Sequence, residues 1–136
     1  MRMEEVQSEM LGDLHDLGDA ISQYSYILEC ASYAAPFPAR LKDDAHLVRE
    51  CQARTWIEAN VEHKTKTISF SGWSESLIVC GALSMLEELY DGRPLDEAAA
   101  FSCRLLDDPL FTQHFSSAQI VGLKSVVAKL SSIAEK

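Results

Sequence analysis

The chain has no run of about 18 consecutive apolar residues, the length that a membrane-spanning helix requires. Basic residues are also few: 12 lysines and arginines stand against 21 aspartates and glutamates, and the formal net charge is −9. A protein this acidic lacks the basic surface that neutralises phosphates, so we expect no binding to nucleic acid or to a membrane surface. The opening residues 1–6 contain no apolar core of a signal peptide, which predicts a cytoplasmic location.

The chain also has no Cys-x-x-Cys pair and no glycine-rich loop of the kind that binds phosphate or a dinucleotide. Its four cysteines stand far apart, whereas a structural zinc site usually has two ligands about two to four residues apart. This spacing, without an export signal, favours free thiols over disulfides. No metal site is indicated locally, although Cys51, Cys80, Cys103 and a histidine would form one if the fold brought them together.

What the chain does contain is enough apolar sequence for a single domain with its own core, spanning residues 1–136. Apolar residues at helical spacing predict a helix over residues 3–17. Asp19 is a suitable N-cap for a second helix that runs to about residue 33. The residues expected on the apolar side of that helix are Ile21, Tyr24, Ile27 and Leu28.

The middle of the chain has the alternating pattern of short strands. Two strands are predicted over residues 54–61 and 66–70, and a further short strand at 46–49 completes an expected three-stranded antiparallel sheet. Trp56 is expected to pack in the core at this sheet. Gly72 is expected to end the strands.

The second half of the chain is predicted to be helical. Ser74 is expected to cap an apolar central helix with Glu75 in its first turn, and residues 90–92 are a plausible C-terminal stop. Three further helices are expected to start near Pro94, Asp108 and Ser116. Helices, a small sheet and further helices, in this order, predict an α+β fold in which the sheet packs against several helices.

Cys51 is the candidate reactive residue. It lies in a polar stretch between Arg49 and Arg54, with His46 nearby, just before a predicted strand. Positive charge favours the thiolate, which is the nucleophilic form, so this setting predicts a reactive thiol on a loop. The competing interpretation is an ordinary loop cysteine. Cys80, by contrast, stands in the most apolar helix and is expected to pack as a small hydrophobe.

A hydrolytic Cys–His dyad is a second possibility for the thiol. It requires an imidazole within hydrogen-bond reach of the sulfur, for which His46 and His114 are the candidates. No local signature marks either histidine as a partner. His15 and His63 are expected to be exposed, so the dyad has no supporting motif.

Five segments, which follow one another along the chain in the family's order, resemble motifs of the SufE/CsdE family of cysteine desulfuration proteins. Cys51–Trp56 (C-Q-A-R-T-W) is similar to the family's G-C-Q-S-x-V-W motif, which contains its sulfur-accepting cysteine. Tyr24–Glu29 is similar to the family's Y-x-Y-I-I-E helix, and Ser74–Gly81 is similar to its S-D-A-x-I-V-[KR]-G helix start. Leu89–Pro94 is similar to its L-Y-D-G-x-x-P turn, and Gln113–Leu123 is similar to its Q-H-L-S/T-P-x-R-x-x-G-L segment.

The chain also departs from these motifs. Glu50 stands where the family has glycine, and a carboxylate there is expected to raise the pKa of the neighbouring thiol. Ala53 replaces a serine and Cys80 replaces a basic residue. Gln23 and Gln119 stand where the family has arginines. The chain therefore resembles a divergent member that retains the acceptor cysteine.

The resemblance implies a sulfur acceptor for iron–sulfur cluster assembly with a SufE/IscU-like fold. A pyridoxal-phosphate-dependent cysteine desulfurase of the SufS/CsdA type would carry a persulfide, Cys51 would take its outer sulfur, and a cluster scaffold would receive it. The chain would stimulate the desulfurase rather than act as a stand-alone enzyme, and it would carry no cofactor, since the pyridoxal phosphate belongs to the partner. The residues expected to bind the partner or tune the thiol are His46, Arg49, Gln52, Arg54 and Glu75.

Two alternatives to this role remain open. One is a regulatory module that docks on a desulfurase without accepting sulfur, which the departures at Glu50 and Gln119 keep in view. The other is a scaffold that binds iron or zinc directly through several cysteines and an acidic residue.

Overall fold

The computed structural model describes residues 1–136 and contains six α-helices and one antiparallel sheet. Two helices precede the sheet and four follow it, which confirms the predicted α+β class. None of the helices is both long and apolar enough to span a bilayer. The elements are α1 (Met3–Leu17), α2 (Ala20–Cys30), β1 (Thr55–Glu62), β2 (Thr67–Ser74), α3 (Leu77–Tyr90), α4 (Leu95–Ala100), α5 (Pro109–Thr112) and α6 (Ser117–Ala134).

The sheet has two strands, β1 and β2, paired in antiparallel register from Thr55 opposite Ser74 onward. The three-stranded sheet expected from the sequence is not formed. The segment 46–49 contributes only an isolated bridge between Leu47 and Trp56. The chain turns immediately after this bridge, so the ladder of hydrogen bonds does not continue.

The junction between β2 and α3 lies later in the chain than the sequence predicts. β2 continues through Gly72 to Ser74, and the N-cap position of α3 is Ser76. The Ser74 hydroxyl lies across the sheet from that of Thr55, at 2.8 Å, and it also accepts the N–H of Ser76 at 3.1 Å. Ser74 is therefore part of the junction rather than a helix cap, and Glu75 lies before the helix.

α3 is the central helix, as its apolar sequence predicts. Ten of its residues are buried, and it packs against β2, α2 and α6. Gly81 approaches α2 so closely that a Cβ atom there would collide with the carbonyl oxygen of Ile27. The predicted stop is confirmed, since α3 ends at Tyr90 and Gly92 has a φ of 79°, in the left-handed region that favours glycine.

α2 buries a polar residue where apolar ones were expected. Ile27 is buried as expected, whereas Ile21 and Tyr24 are exposed and Gln23 is buried in their place. The Gln23 amide donates to the carbonyl of Leu14 at 2.9 Å, and its oxygen accepts from the amide of Gln113 at 2.8 Å. Because both ends of the side chain are hydrogen-bonded, it joins α1, α2 and the end of α5 without an unpaired polar group.

Candidate functional site

Cys51 lies in the loop between the Leu47 bridge and β1, with its thiol half-buried against α6. The absence of a side chain at Gly122 makes this approach possible, because a Cβ there would lie 2.5 Å from the Cys51 sulfur. The loop is closed by the N–H of Cys51, which donates to the carbonyl of Val48 at 3.2 Å. The thiol therefore rests against the backbone of a helix.

A cavity of about 120 Å³ lies beside the thiol. It is lined by Cys51, Gln52, Ala53, Thr55, Val79, Ser116 and Gln119. None of these residues is charged and none is a histidine, so the thiol faces neutral groups. In the capping box of α6, the Ser116 hydroxyl accepts the N–H of Gln119 at 3.1 Å, and the Gln119 amide oxygen accepts the N–H of Ser116 at 2.9 Å. These two hydrogen bonds hold this wall of the cavity in place.

The protonation of Cys51 is controlled mainly by burial. Burial raises the pKa of the thiol, the side chain of Thr55 lowers it, and the negative charge of Glu50 raises it further. The effect expected of Glu50 is confirmed. The lowering expected from Arg49 and Arg54 is wrong, because the net effect of the surroundings is to raise the pKa of the thiol, so the resting thiol is mostly protonated at neutral pH.

Arg54 and Glu75 form a bidentate ion pair on the surface beside the loop. Nε and Nη2 of Arg54 lie 3.1 and 3.0 Å from the two carboxylate oxygens of Glu75. Hydrogen bonding to Arg54 lowers the pKa of the Glu75 carboxyl. The guanidinium also lies 5.7 Å from the ring centre of Trp56, which is buried as predicted. The positive charge near the loop is therefore bound by a carboxylate rather than directed at the thiol.

The two histidines considered as partners of the thiol do not reach it. His46 and Arg49 line a separate depression of about 340 Å³ beside α6, and His46 Nδ1 lies 2.7 Å from the Asp43 carboxylate. His114 Nε2 lies 3.1 Å from the Gln23 amide oxygen. Neither histidine lines the cavity beside the thiol, so the structure does not assemble the Cys–His dyad. The two histidines expected to be exposed are exposed, namely His15 and His63.

Cys80 has the packing role that the sequence predicts. It is buried, its thiol donates to the carbonyl of Ser74 at 2.8 Å, and its sulfur accepts the N–H of the same residue at 3.1 Å. Cys30 and Cys103 are half-buried, and all four cysteines are free. No three His, Cys, Asp or Glu side chains are grouped so as to hold a metal ion. The cysteine cluster considered from the sequence does not form.

Sequence reasoning did not identify Thr55 and Gly122 as neighbours of the thiol. Thr55 has the pattern of an ordinary strand residue, and Gly122 stands about 70 positions after Cys51 in a helical pattern. For Ser116 the sequence predicts only that the last helix starts nearby. Nothing local indicates that this helix start closes a cavity.

Comparison with known families and proteins agrees with the motifs. The family model SufE, described as an Fe-S metabolism associated domain, matches residues 8–134. The chain is similar to the cysteine desulfuration protein SufE of Wigglesworthia glossinidia brevipalpis, with 31% identity over 105 residues, 76% of this chain and 72% of that protein. It is 22% identical over 125 residues to an uncharacterized SufE-like protein of Rhizobium etli, which covers 90% of this chain and 84% of that protein.

A solved structure shares the fold. It is the solution structure of a hypothetical protein from Thermus thermophilus, with a TM-score of 0.75, 17% identity and coverage of 96% of this chain and 93% of that one. At this level of identity the likeness concerns the fold alone. The match of the family model over nearly the whole length is what decides the classification: the chain belongs to the SufE family, whose domain is associated with iron–sulfur metabolism.

Proposed function

We propose that this chain accepts a sulfur atom on Cys51 from the persulfide of a pyridoxal-phosphate-dependent cysteine desulfurase and passes it on for iron–sulfur cluster assembly. Membership of the SufE family and the similarity to a cysteine desulfuration protein support this role. The cofactor chemistry belongs to the desulfurase, and the chain contributes a thiol, a place to hold the sulfur and a surface for docking.

The observation that carries the proposal is the space next to the thiol. A cavity of about 120 Å³ adjoins Cys51, whereas a water molecule takes up about 30 Å³ in the liquid. One additional sulfur atom therefore fits beside Cys51 without displacing the walls. A persulfide held in this cavity is shielded from oxidants, which reach exposed thiolates most readily.

The transfer follows the chemistry of a thiol–disulfide exchange, in which one S–S bond forms as another breaks. The Cys51 thiolate attacks the outer sulfur of the desulfurase persulfide, and a new S–S bond forms on Cys51. The original S–S bond breaks, and its electron pair stays on the desulfurase cysteine, which leaves as a thiolate. Burial raises the pKa of Cys51, so the thiol is protonated before docking. On docking it moves away from Gly122 and loses this proton, which the departing desulfurase thiolate takes up.

The other residues predicted from the sequence are assigned to the docking surface. Arg54 and Glu75 are exposed to solvent as a pair beside the loop, and Gln52 is exposed at the edge of the cavity. His46 and Arg49 lie along the preceding part of the same loop. We place all five on the docking surface because they lie in or next to the segment that would extend when sulfur is transferred.

Intact-mass spectrometry after incubation with cysteine and a cysteine desulfurase from the same source tests the proposal. We expect the wild-type chain to gain the mass of one or more sulfur atoms and Cys51→Ser to gain none, because serine cannot form a persulfide. Cys103→Ser is the matched control, since it alters another half-buried cysteine and should load like the wild type. Sulfur gain on Cys51→Ser equal to that of the wild type contradicts the proposal.

A regulatory role without sulfur transfer is the second candidate, and the raised pKa of Cys51 favours it. A mostly protonated thiol is a weak nucleophile, whereas a chain that only docks on the desulfurase needs no thiolate. The rate at which the desulfurase releases sulfur separates the two roles. If Cys51→Ser stimulates that rate as strongly as the wild type and neither chain gains sulfur, the regulatory role replaces the acceptor role.

A further inference from the structure

Two hydroxyl groups are buried together behind the Cys51 cavity. Thr55 is 1% exposed and Ser74 is 0% exposed. They stand opposite each other at one end of the sheet, with their oxygens 2.8 Å apart. Thr55 also lines the cavity beside Cys51, so the pair extends from the thiol to the junction before α3. Buried hydroxyls are costly unless they are hydrogen-bonded, so the number of donors and acceptors around them matters.

The Thr55 hydroxyl has one proton and more than one acceptor within reach. Thr55 Oγ1 donates to Ser74 Oγ at 2.8 Å or to the Ala53 carbonyl at 3.0 Å. Ser74 Oγ already accepts the N–H of Ser76 at 3.1 Å. Hydroxyl protons rotate to suit their surroundings. When the sulfur of Cys51 carries a negative charge, the Thr55 proton can turn from these neutral acceptors toward it, because a charged acceptor makes the stronger hydrogen bond.

Thr55 is the fully buried hydrogen-bond donor of the cavity. The other polar lining residues, Gln52, Ser116 and Gln119, are exposed or partly exposed, and the last two also cap α6. No lining residue is cationic. In agreement with this geometry, the side chain of Thr55 lowers the pKa of Cys51 against the effect of burial.

We propose that Thr55 donates the hydrogen bond that stabilises the negatively charged sulfur of Cys51, first as the thiolate and, after transfer, as the persulfide anion. The Ser74 hydroxyl and the Ala53 carbonyl compete for the same proton, and the negative charge on the sulfur draws it away from these neutral acceptors. The thiolate part depends only on this site, whereas the persulfide part rests on the function proposed above.

The pH dependence of Cys51 alkylation by iodoacetamide, followed by peptide mass spectrometry, tests this role without a desulfurase. Thr55→Val keeps the shape of the side chain and removes the hydrogen-bond donor. We therefore expect the midpoint of the curve of alkylation rate against pH to rise by about one pH unit. A thiolate of higher pKa is intrinsically more nucleophilic, and the logarithm of its rate constant rises by about 0.4–0.5 per pKa unit. This gain offsets part of the loss of thiolate, so the alkylation rate near neutral pH should fall only about threefold. Thr55→Ser retains the hydroxyl and should keep the wild-type midpoint.

Ser74→Ala separates hydrogen bonding from packing. It removes the competing acceptor of Thr55 without touching the cavity, so we expect the midpoint of Cys51 to stay unchanged or to fall. An unchanged midpoint in Thr55→Val, or an equal rise in Thr55→Val and Ser74→Ala, overturns the proposal. Thermal unfolding by circular dichroism verifies that the variants are folded. If the wild type then takes no sulfur from a desulfurase, the proposed function fails while the measured role of Thr55 toward the thiolate stands.

Discussion

Two helices of this protein touch a neighbouring segment at a glycine, and the two contacts differ in what lies opposite. Gly81 of α3 faces the backbone of α2, where a Cβ would collide with the carbonyl oxygen of Ile27. Gly122 of α6 faces the Cys51 sulfur, which a Cβ would approach to 2.5 Å. Gly12 of α1 provides a reference, since nothing lies within 4 Å of the place that its Cβ would occupy.

The difference separates a contact that maintains the fold from one that positions the thiol. At Gly81 both surfaces are helix backbone in the core, and they can separate only if a whole helix moves. At Gly122 the opposing atom is the end of a side chain on a loop, which can turn away. A close approach of the same kind is therefore structural in one region and adjustable in the other.

The largest expected effect is at Gly81. Gly81→Ala forces α2 away from α3, so we expect the free energy of unfolding to fall by about 3 kcal/mol or more. Chemical denaturation with urea, followed by circular dichroism, measures this loss. Gly12→Ala is the matched control and should raise stability by roughly 0.5–1 kcal/mol, because alanine favours the helix where space is open. A Gly81→Ala protein as stable as the wild type would show that the helix contact yields after all.

Gly122→Ala should have a smaller effect on stability and a larger one on the thiol. The new methyl group displaces Cys51, so we expect a loss of about 1 kcal/mol. Because burial is the main cause of the raised pKa, the displaced thiol should titrate closer to its ordinary value, and iodoacetamide should react with it faster. The same alkylation assay in Gly12→Ala should match the wild type.

A double-mutant cycle sharpens the assignment of that contact. Cys51→Ala removes the sulfur that Gly122→Ala would strike, so the glycine substitution should cost less in that background. Urea denaturation of the four chains gives the coupling free energy, which we expect to be about 1 kcal/mol. A coupling near zero would mean that the methyl group strains α6 itself rather than the loop.

The smallest expected effect concerns the loop charge next to the thiol. The carboxylate of Glu50 raises the pKa of Cys51, so Glu50→Gln should move the alkylation midpoint down by roughly 0.3 pH units, an effect that salt reduces. Glu62→Gln, an exposed substitution at the far end of β1, is the control and should leave the midpoint unchanged. A midpoint that moves equally in both variants would indicate a general charge effect.

Elements with a strong local signal agree with prediction. The helix over residues 3–17, the Asp19 cap and a last helix that starts near Ser116 follow from spacing and capping chemistry, and the structure has all three. The third strand and the end of β2 were less predictable, because pairing depends on which segment lies alongside. Gln23 shows the same limit, since its burial depends on partners from α1 and α5.

The α+β class, the family motifs and the identity of the candidate thiol follow from residue types and their spacing along the chain. The surroundings of that thiol follow from the packing of segments that are distant in sequence. This packing placed Gly122 and Thr55 beside Cys51, bound Arg54 to Glu75, and left Cys51 with a raised pKa where neighbouring arginines had predicted a lowered one. Burial and partner geometry are properties of packed segments, and charges that are close in sequence act on a thiol only if their side chains face it.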